Sequence, residues 1–194
     1  MKIIGITGGI GAGKSCVLRE IEVLDGTFVI EADKLAHTLL SPGHDCYTEV
    51  VSCFGKEILS EDQSIDRAVL RKLVMNSSEK LRQLNALVHP AVKKYIVNDI
   101  EKKRDLGYKY YVIEAALLIQ DGYRNICDEI WYIYADKDLR IDRLLKSRGY
   151  SRQTAEEFIK NQPEDEYFIE NSDRVIDNSG TPEELRKVIL TLVN

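Results

Sequence analysis

The chain has 194 residues, of which 44% are hydrophobic and 30% charged, and its formal net charge is −5. That make-up suits one soluble globular domain with room for an insertion, and the acidic balance disfavours general nucleic-acid binding, so any basic surface must be local. The four cysteines, Cys16, Cys46, Cys53 and Cys127, form no C-x-x-C pair, which argues against a zinc site and for reduced thiols of a cytoplasmic protein. No apolar run nears the roughly 18 residues of a membrane span.

Lys2-Ile3-Ile4-Gly5-Ile6-Thr7 reads as a short buried strand. Gly8-Gly9-Ile10-Gly11-Ala12-Gly13-Lys14-Ser15 follows at once and fits G-x-x-x-x-G-K-[ST], the P-loop pattern. A helix then opens at Cys16, with Val17, Leu18 and Ile21 on one side. Strand, glycine loop and helix in that order are the context that separates a P-loop from a chance match. A strand at the N-terminus is also not the start of a cleaved signal peptide. Glycines let successive N–H groups turn inward around an anion. The helix aims its positive dipole end at the same place. Lys14 supplies a mobile charge for the β- and γ-phosphates, and Ser15 a hydroxyl for Mg²⁺.

Asp25-Gly26 marks a turn, and Phe28–Glu31 a second strand. In open α/β sheets ligands sit beyond the carboxyl ends of strands. Asp33, just past this strand, is therefore a catalytic candidate, an N-cap for a helix over 34–40, or both. Residues 34–107 form a helical insertion, of the kind that binds a second substrate beside a P-loop. Ser41-Pro42-Gly43 is a break. Val50, Val51 and Phe54 suggest a short helix stopped by Gly55. Ile65–Asn76 carries apolar residues at helical spacing, and Ser77-Ser78 caps a further helix. Pro90 breaks or kinks that helix at His89, and another continues with Val92, Ile96 and Ile100.

Tyr110–Glu114 is the third strand. Glu114 at its end stands where P-loop enzymes place a carboxylate that supports Mg²⁺, with a surface-facing glutamate as the alternative. Ala115–Ile119 continues as an apolar segment. Glu129–Tyr134 is the fourth strand. After it, Arg140, Arg143, Lys146, Arg148 and Arg152 form the local basic stretch on two helices joined at Gly149. They read as a phosphate-covering lid, or as a solvated pair neutralised by Asp138, Asp142, Glu156 and Glu157. Asp173–Asp177 is the fifth strand, and Thr181-Pro182-Glu183-Glu184 a capping box for the last helix. The expected fold is α/β: a P-loop NTPase with a five-stranded parallel sheet flanked by helices.

The whole chain resembles the dephospho-coenzyme A kinase family. The resemblance rests on Ile4–Ser15, Glu31-Ala32-Asp33 with Ala36-His37, Asp66-Arg67 with Leu70, and His89-Pro90-Ala91-Val92. Ile113-Glu114-Ala115 with Leu117-Leu118, Arg143-Leu144, Arg148, Gln162 and Val175–Gly180 complete it. The chain departs from the pattern at Glu31, Ala116, Gln120, Arg140 and Tyr167. The resemblance implies one kinase domain over 1–194, with core 1–33, 108–136 and 172–194, the insertion as substrate-binding part, and lid 137–165. It implies transfer of the γ-phosphoryl of ATP to the ribose 3′-hydroxyl of dephospho-coenzyme A. ATP would be bound by Gly9, Gly11, Ala12, Gly13, Lys14, Ser15, Cys16 and Asn178, the last near adenine. Ser15 and, through water, Glu114 would hold Mg²⁺. Catalysis would rest on Asp33 as base, Lys14, Arg143 and Arg148, and substrate contacts on Asp33, Arg67, His89 and Leu117. A structural role for His89 before Pro90 stays open. Partners would be small molecules, with no nucleic acid or membrane, and the chain a monomer or weak homo-oligomer. A nucleoside monophosphate kinase would use the same core. A nucleotide-dependent switch is the rival of another class, although no Asn-Lys-x-Asp guanine-recognition element is present.

Overall fold

The computed structural model describes residues 1–193, so Asn194, the last residue of the expected core, lies outside the described residues. Five strands form one parallel sheet: β1 Lys2–Gly8, β2 Thr27–Glu31, β3 Tyr110–Glu114, β4 Glu129–Tyr134 and β5 Arg174–Asp177, in the order β2-β3-β1-β4-β5. β1 lies at the centre because it is apolar towards both faces, with Ile3, Ile4 and Ile6 all buried. Its register sets Ile6 beside Glu114 of β3 and Trp131 of β4, and Gly8 beside Ile133. β1 leaves for β2 on one side, while β4 leaves for β5 on the other. Their carboxyl ends therefore part at a topological switch point, the usual ligand position in such sheets.

The helix α1 (Lys14–Glu22) follows the glycine loop and buries Val17, Leu18 and Ile21 as its spacing predicts. They pack with Ile4, Ile6, Val112, Trp131, Ile133 and Ile176, and with Leu185 and Ile189 of the last helix. That helix begins at Pro182, and its capping box forms: Thr181 Oγ1 accepts from the Glu184 amide, and Glu184 Oε2 from the Thr181 amide. Among the described residues no helix is long and apolar enough to cross a membrane. Cys46 and Cys127 are buried, Cys16 and Cys53 exposed, and all four are free thiols.

The chain divides into two compact units, one made of Met1–Ile30 and the chain from Lys103 onward, the other of Glu31–Lys102. The second unit is helical: α2 Ala32–Leu39, α3 Asp45–Phe54, α4 Arg67–Met75 and most of α5 Ser78–Asp105. Two expectations change here. Asp33 is not an N-cap: Glu31 holds the extended cap conformation, and Asp33 sits in the first turn of α2. Its carboxylate suits the positive end of the helix from there as well. Nor does Pro90 break the helix, because α5 runs through it without interruption. A mid-helix proline costs about 3 kcal/mol, yet Val88, Val92, Ile96 and Ile100 continue one buried stripe on both sides of it. Four buried side chains at about 1.5–3 kcal/mol each outweigh that cost.

After β4 come α6 Lys137–Arg148, α7 Arg152–Lys160 and a short α8 Asp165–Glu170, before β5 and α9 Pro182–Val193. α6 ends at Gly149, which takes the left-handed conformation of a C-terminal cap. Ser151 caps α7 by accepting from the Thr154 amide. α8 has no long apolar period to announce it. It is held by Phe168, whose ring stacks on Tyr132 with centroids 4.9 Å apart.

Candidate active site

The glycine loop leaves β1 at Gly8 and enters α1 at Lys14. Gly13, at the helix N-cap, has φ 90° and ψ 30°, a left-handed conformation that only glycine adopts at little cost. A Cβ there would also lie 2.2 Å from Asn178 Nδ2. Lys14 folds back over the loop, and its Nζ donates to the Gly8 carbonyl at 2.9 Å. The same ammonium stands 3.7 Å from Glu114 Oε1, with both side chains largely buried. Expected loop lysine and strand-end carboxylate thus meet, although they lie far apart in sequence. Ser15 and Cys16 are exposed in the first turn of α1. Arg19 donates to the Ser15 carbonyl and to Cys16 Sγ.

The loop's outer side is held by α6 and by the end of β5. Arg143 donates to the Ala12 carbonyl at 3.2 Å and to the Asn178 carbonyl at 2.8 Å. Asn178 is buried, and its amide also donates to Ala12 O, at 2.8 Å. In this structure Arg143 and Asn178 therefore support the main chain of the loop. Arg140, a turn before Arg143, donates to Ile10 O at 3.0 Å and to Gln162 Oε1 at 3.1 Å. Its guanidinium is nearly sealed from solvent and lies 3.6 Å from Asp165 Oδ1. Tyr132 also donates to Asp165. Ile10 itself packs against Ile141, Leu144 and Ala155, so α6 and α7 are seated on the loop.

Arg148, by contrast, is exposed at the end of α6 and makes no ion pair among the described residues. Leu117 is 44% exposed in the turn after β3. The helical unit, taken by itself, exposes Asp33 and partly buries His89 on α5. Arg67 is the first residue of α4, capped by Asp66, whose Oδ1 accepts from the Ala68 and Val69 amides. It lines a cavity of about 490 Å³ together with His37, Leu70, Arg71 and Leu84. Neither Asp33 nor His89 lines that cavity. Arg71 is one helical turn from Arg67, a spacing that signals a shared face. The three-residue spacing of Arg140 and Arg143 likewise signals a shared face of α6, but not what that face meets.

A family model for dephospho-CoA kinase matches residues 2–184. The chain is 41% identical over 193 residues to the dephospho-CoA kinase of Carboxydothermus hydrogenoformans, covering 100% of this chain and 93% of that one. It superposes on a crystal structure of a Thermus thermophilus protein with a TM-score of 0.80 at 26% identity, covering 99% of this chain and 96% of that one. For the dephospho-CoA kinase of Campylobacter jejuni the TM-score is 0.74 at 24% identity, covering 100% and 96%, which bears on the fold. Motif order, the lysine–glutamate pair behind the loop and this match over nearly the full length agree: the chain belongs to the dephospho-CoA kinase family and is a kinase of the P-loop fold.

Proposed function

We propose that the protein transfers the γ-phosphoryl group of ATP to the ribose 3′-hydroxyl of dephospho-coenzyme A, releasing ADP and coenzyme A. The observation that carries the reading is the glycine loop with Lys14 folded onto Gly8 O and beside Glu114, in a chain whose relatives bear that activity in their names. Phosphoryl transfer asks the protein for positioning and charge stabilisation more than covalent chemistry. Loop amides and Lys14 hold the triphosphate. Asp33, exposed in the first turn of α2, orients the 3′-hydroxyl and accepts its proton as the oxygen attacks. Arg148 and Arg143 carry positive charge for the transferring group. Arg143 uses two of its five N–H donors on main-chain carbonyls, which leaves donors for the phosphoryl group. Asn178 supports the loop beside the adenine subsite, and Arg67, His89 and Leu117 contact the acceptor.

Mg²⁺ fits the donor set. Among the described residues no three His, Cys, Asp or Glu side chains converge, while Ser15 offers a hydroxyl and Glu114 a carboxylate beside the loop. Mg²⁺ keeps several waters and takes one or two protein oxygens plus substrate phosphates. Ser15 would hold it directly and Glu114 through water. The ion would supply neutralisation of the phosphate charge. Cytoplasmic location and a monomeric or weakly oligomeric state belong to the same proposal. The test is ADP formation from ATP with purified protein and a panel of dephospho-coenzyme A, nucleoside monophosphates, nucleosides and sugars. Turnover should require dephospho-coenzyme A, and turnover confined to another acceptor would overturn the proposal.

A further inference from the structure

We propose that Arg140 is a positioning residue for the triphosphate loop: together with Arg143 it combs the loop's peptide groups so that the Gly11 and Gly13 amides are presented away from α6. Arg140 and Arg143 are three residues apart and share a face of α6. They take the carbonyls of Ile10 and Ala12, which are alternate residues of the loop. In a planar trans peptide the carbonyl and the following N–H point in opposite directions. Drawing the oxygens of Ile10 and Ala12 onto the arginines therefore turns the N–H groups of Gly11 and Gly13 to the other side. The Ala12 amide between them donates to the Gly9 carbonyl at 3.2 Å, so Gly11 and Gly13 are the alternate amides that this part of the loop turns to one side for an anion.

Arg140 is the more constrained of the two. Gln162 Oε1 accepts from the Ile10 amide at 2.8 Å as well as from Arg140, so the loop is gripped at Ile10 on both its N–H and its C=O. Arg140 is 5% exposed and its guanidinium is paired with Asp165, so it has nowhere to swing. This explains the glycine at position 9. A Cβ there would come 2.2 Å from Arg140 Nη2 and 2.6 Å from its Cζ. At Gly11 it would meet the Arg140 carbonyl at 2.7 Å. Planar, multiply bonded and sealed, this guanidinium has a geometry a lysine cannot reproduce.

The inference rests on the loop being the ATP site, so ATP affinity is measured directly by calorimetry without acceptor, beside steady-state kinetics. Arg140→Lys keeps the charge but not the fork. It should weaken ATP binding about tenfold, with kcat within about threefold of wild type and KM for dephospho-coenzyme A unchanged. Gly9→Ala should weaken ATP binding at least about tenfold in the wild-type background, yet less than about threefold when added to Arg140→Ala, where the obstructing side chain is gone. Wild-type ATP affinity in Arg140→Lys overturns the proposal, even if the variant melts at a lower temperature. So does an equal cost of Gly9→Ala in both backgrounds. Should Arg140→Ala not fold, the Arg140→Lys measurements decide alone. A wild-type protein that binds ATP but does not phosphorylate dephospho-coenzyme A would defeat the proposed function and leave this inference to stand or fall on its own numbers.

Discussion

The loop region and the helical unit handle their charged side chains in opposite ways. Around the loop, Lys14, Glu114, Arg140, Arg143 and Asn178 are wholly or partly buried and engaged with main chain or with one another. In the helical unit the expected acceptor-side residues Asp33 and Arg67 are exposed. Groups fixed in advance lose no entropy on binding, which suits the charge stabilisation that phosphoryl transfer needs at the loop. On the proposed reading, the exposed side chains of the helical unit would be ordered only when the acceptor binds. Substitutions near the loop should therefore affect both folding and ATP binding, and substitutions in the helical unit should affect the acceptor or the chemistry.

The strongest test of that contrast is Lys14→Ala. It removes a preorganised charge and should cost at least about a hundredfold in turnover, roughly 3 kcal/mol, as measured by ADP release under saturating substrates. Asp33→Asn should lower kcat by about a hundredfold, the scale of general base catalysis, while calorimetric ATP affinity stays at the wild-type value. A variant turning over at the wild-type rate would remove Asp33 from its proposed role. Arg143→Ala breaks bonds from a charged donor to two carbonyls, worth about 1.5–3 kcal/mol. It should lower both the melting temperature and turnover, in contrast to Arg67→Ala. That change should raise KM for dephospho-coenzyme A about tenfold with little change in kcat or melting. Equal melting losses in the two variants would dissolve the comparison.

The smallest effect lies at the far end of the sheet, in the frame rather than the site. Burial pushes the Glu129 carboxyl up. The hydrogen bond from Trp131 and the contacts with Lys2 and Arg174 outweigh it, and its pKa falls to about 2. A carboxylate depressed in the folded state adds stability above its unfolded pKa of about 4.3, and that stability is lost as pH falls towards the folded value. Acid unfolding followed by circular dichroism should show a loss between about pH 4.3 and pH 2 that Glu129→Gln reduces without abolishing, because the carboxyls of Asp173 and Glu184 also lie below the usual range, with turnover at neutral pH unchanged.

Much of this molecule is legible in its residues alone. The apolar, largely β-branched or aromatic make-up of the strands, the glycine loop and the capping box at Thr181 are local patterns, and local patterns are set by backbone sterics and by which side chains prefer burial. The start of α2 and the continuity of α5 are not legible there. Whether Glu31 or Asp33 takes the cap, and whether a proline interrupts a helix, depends on packing that a short window does not contain. α8 is six residues long and is held by a ring stacked on another from a strand.

What the residues alone determined is the order strand, loop, helix and the presence of a lysine and a hydroxyl at the head of that helix. From that order the P-loop reading follows, since only glycine fills those backbone angles at little cost and a helix N-terminus with a lysine cradles phosphate. What the tertiary structure alone decided is which charges serve the loop. Arg140 and Arg143 look alike with Arg148 in the sequence, yet two of them are taken up by loop carbonyls and one is exposed at the helix end. That division comes from the sheet order setting α6 against the loop, a long-range packing outcome that no spacing within the helix encodes.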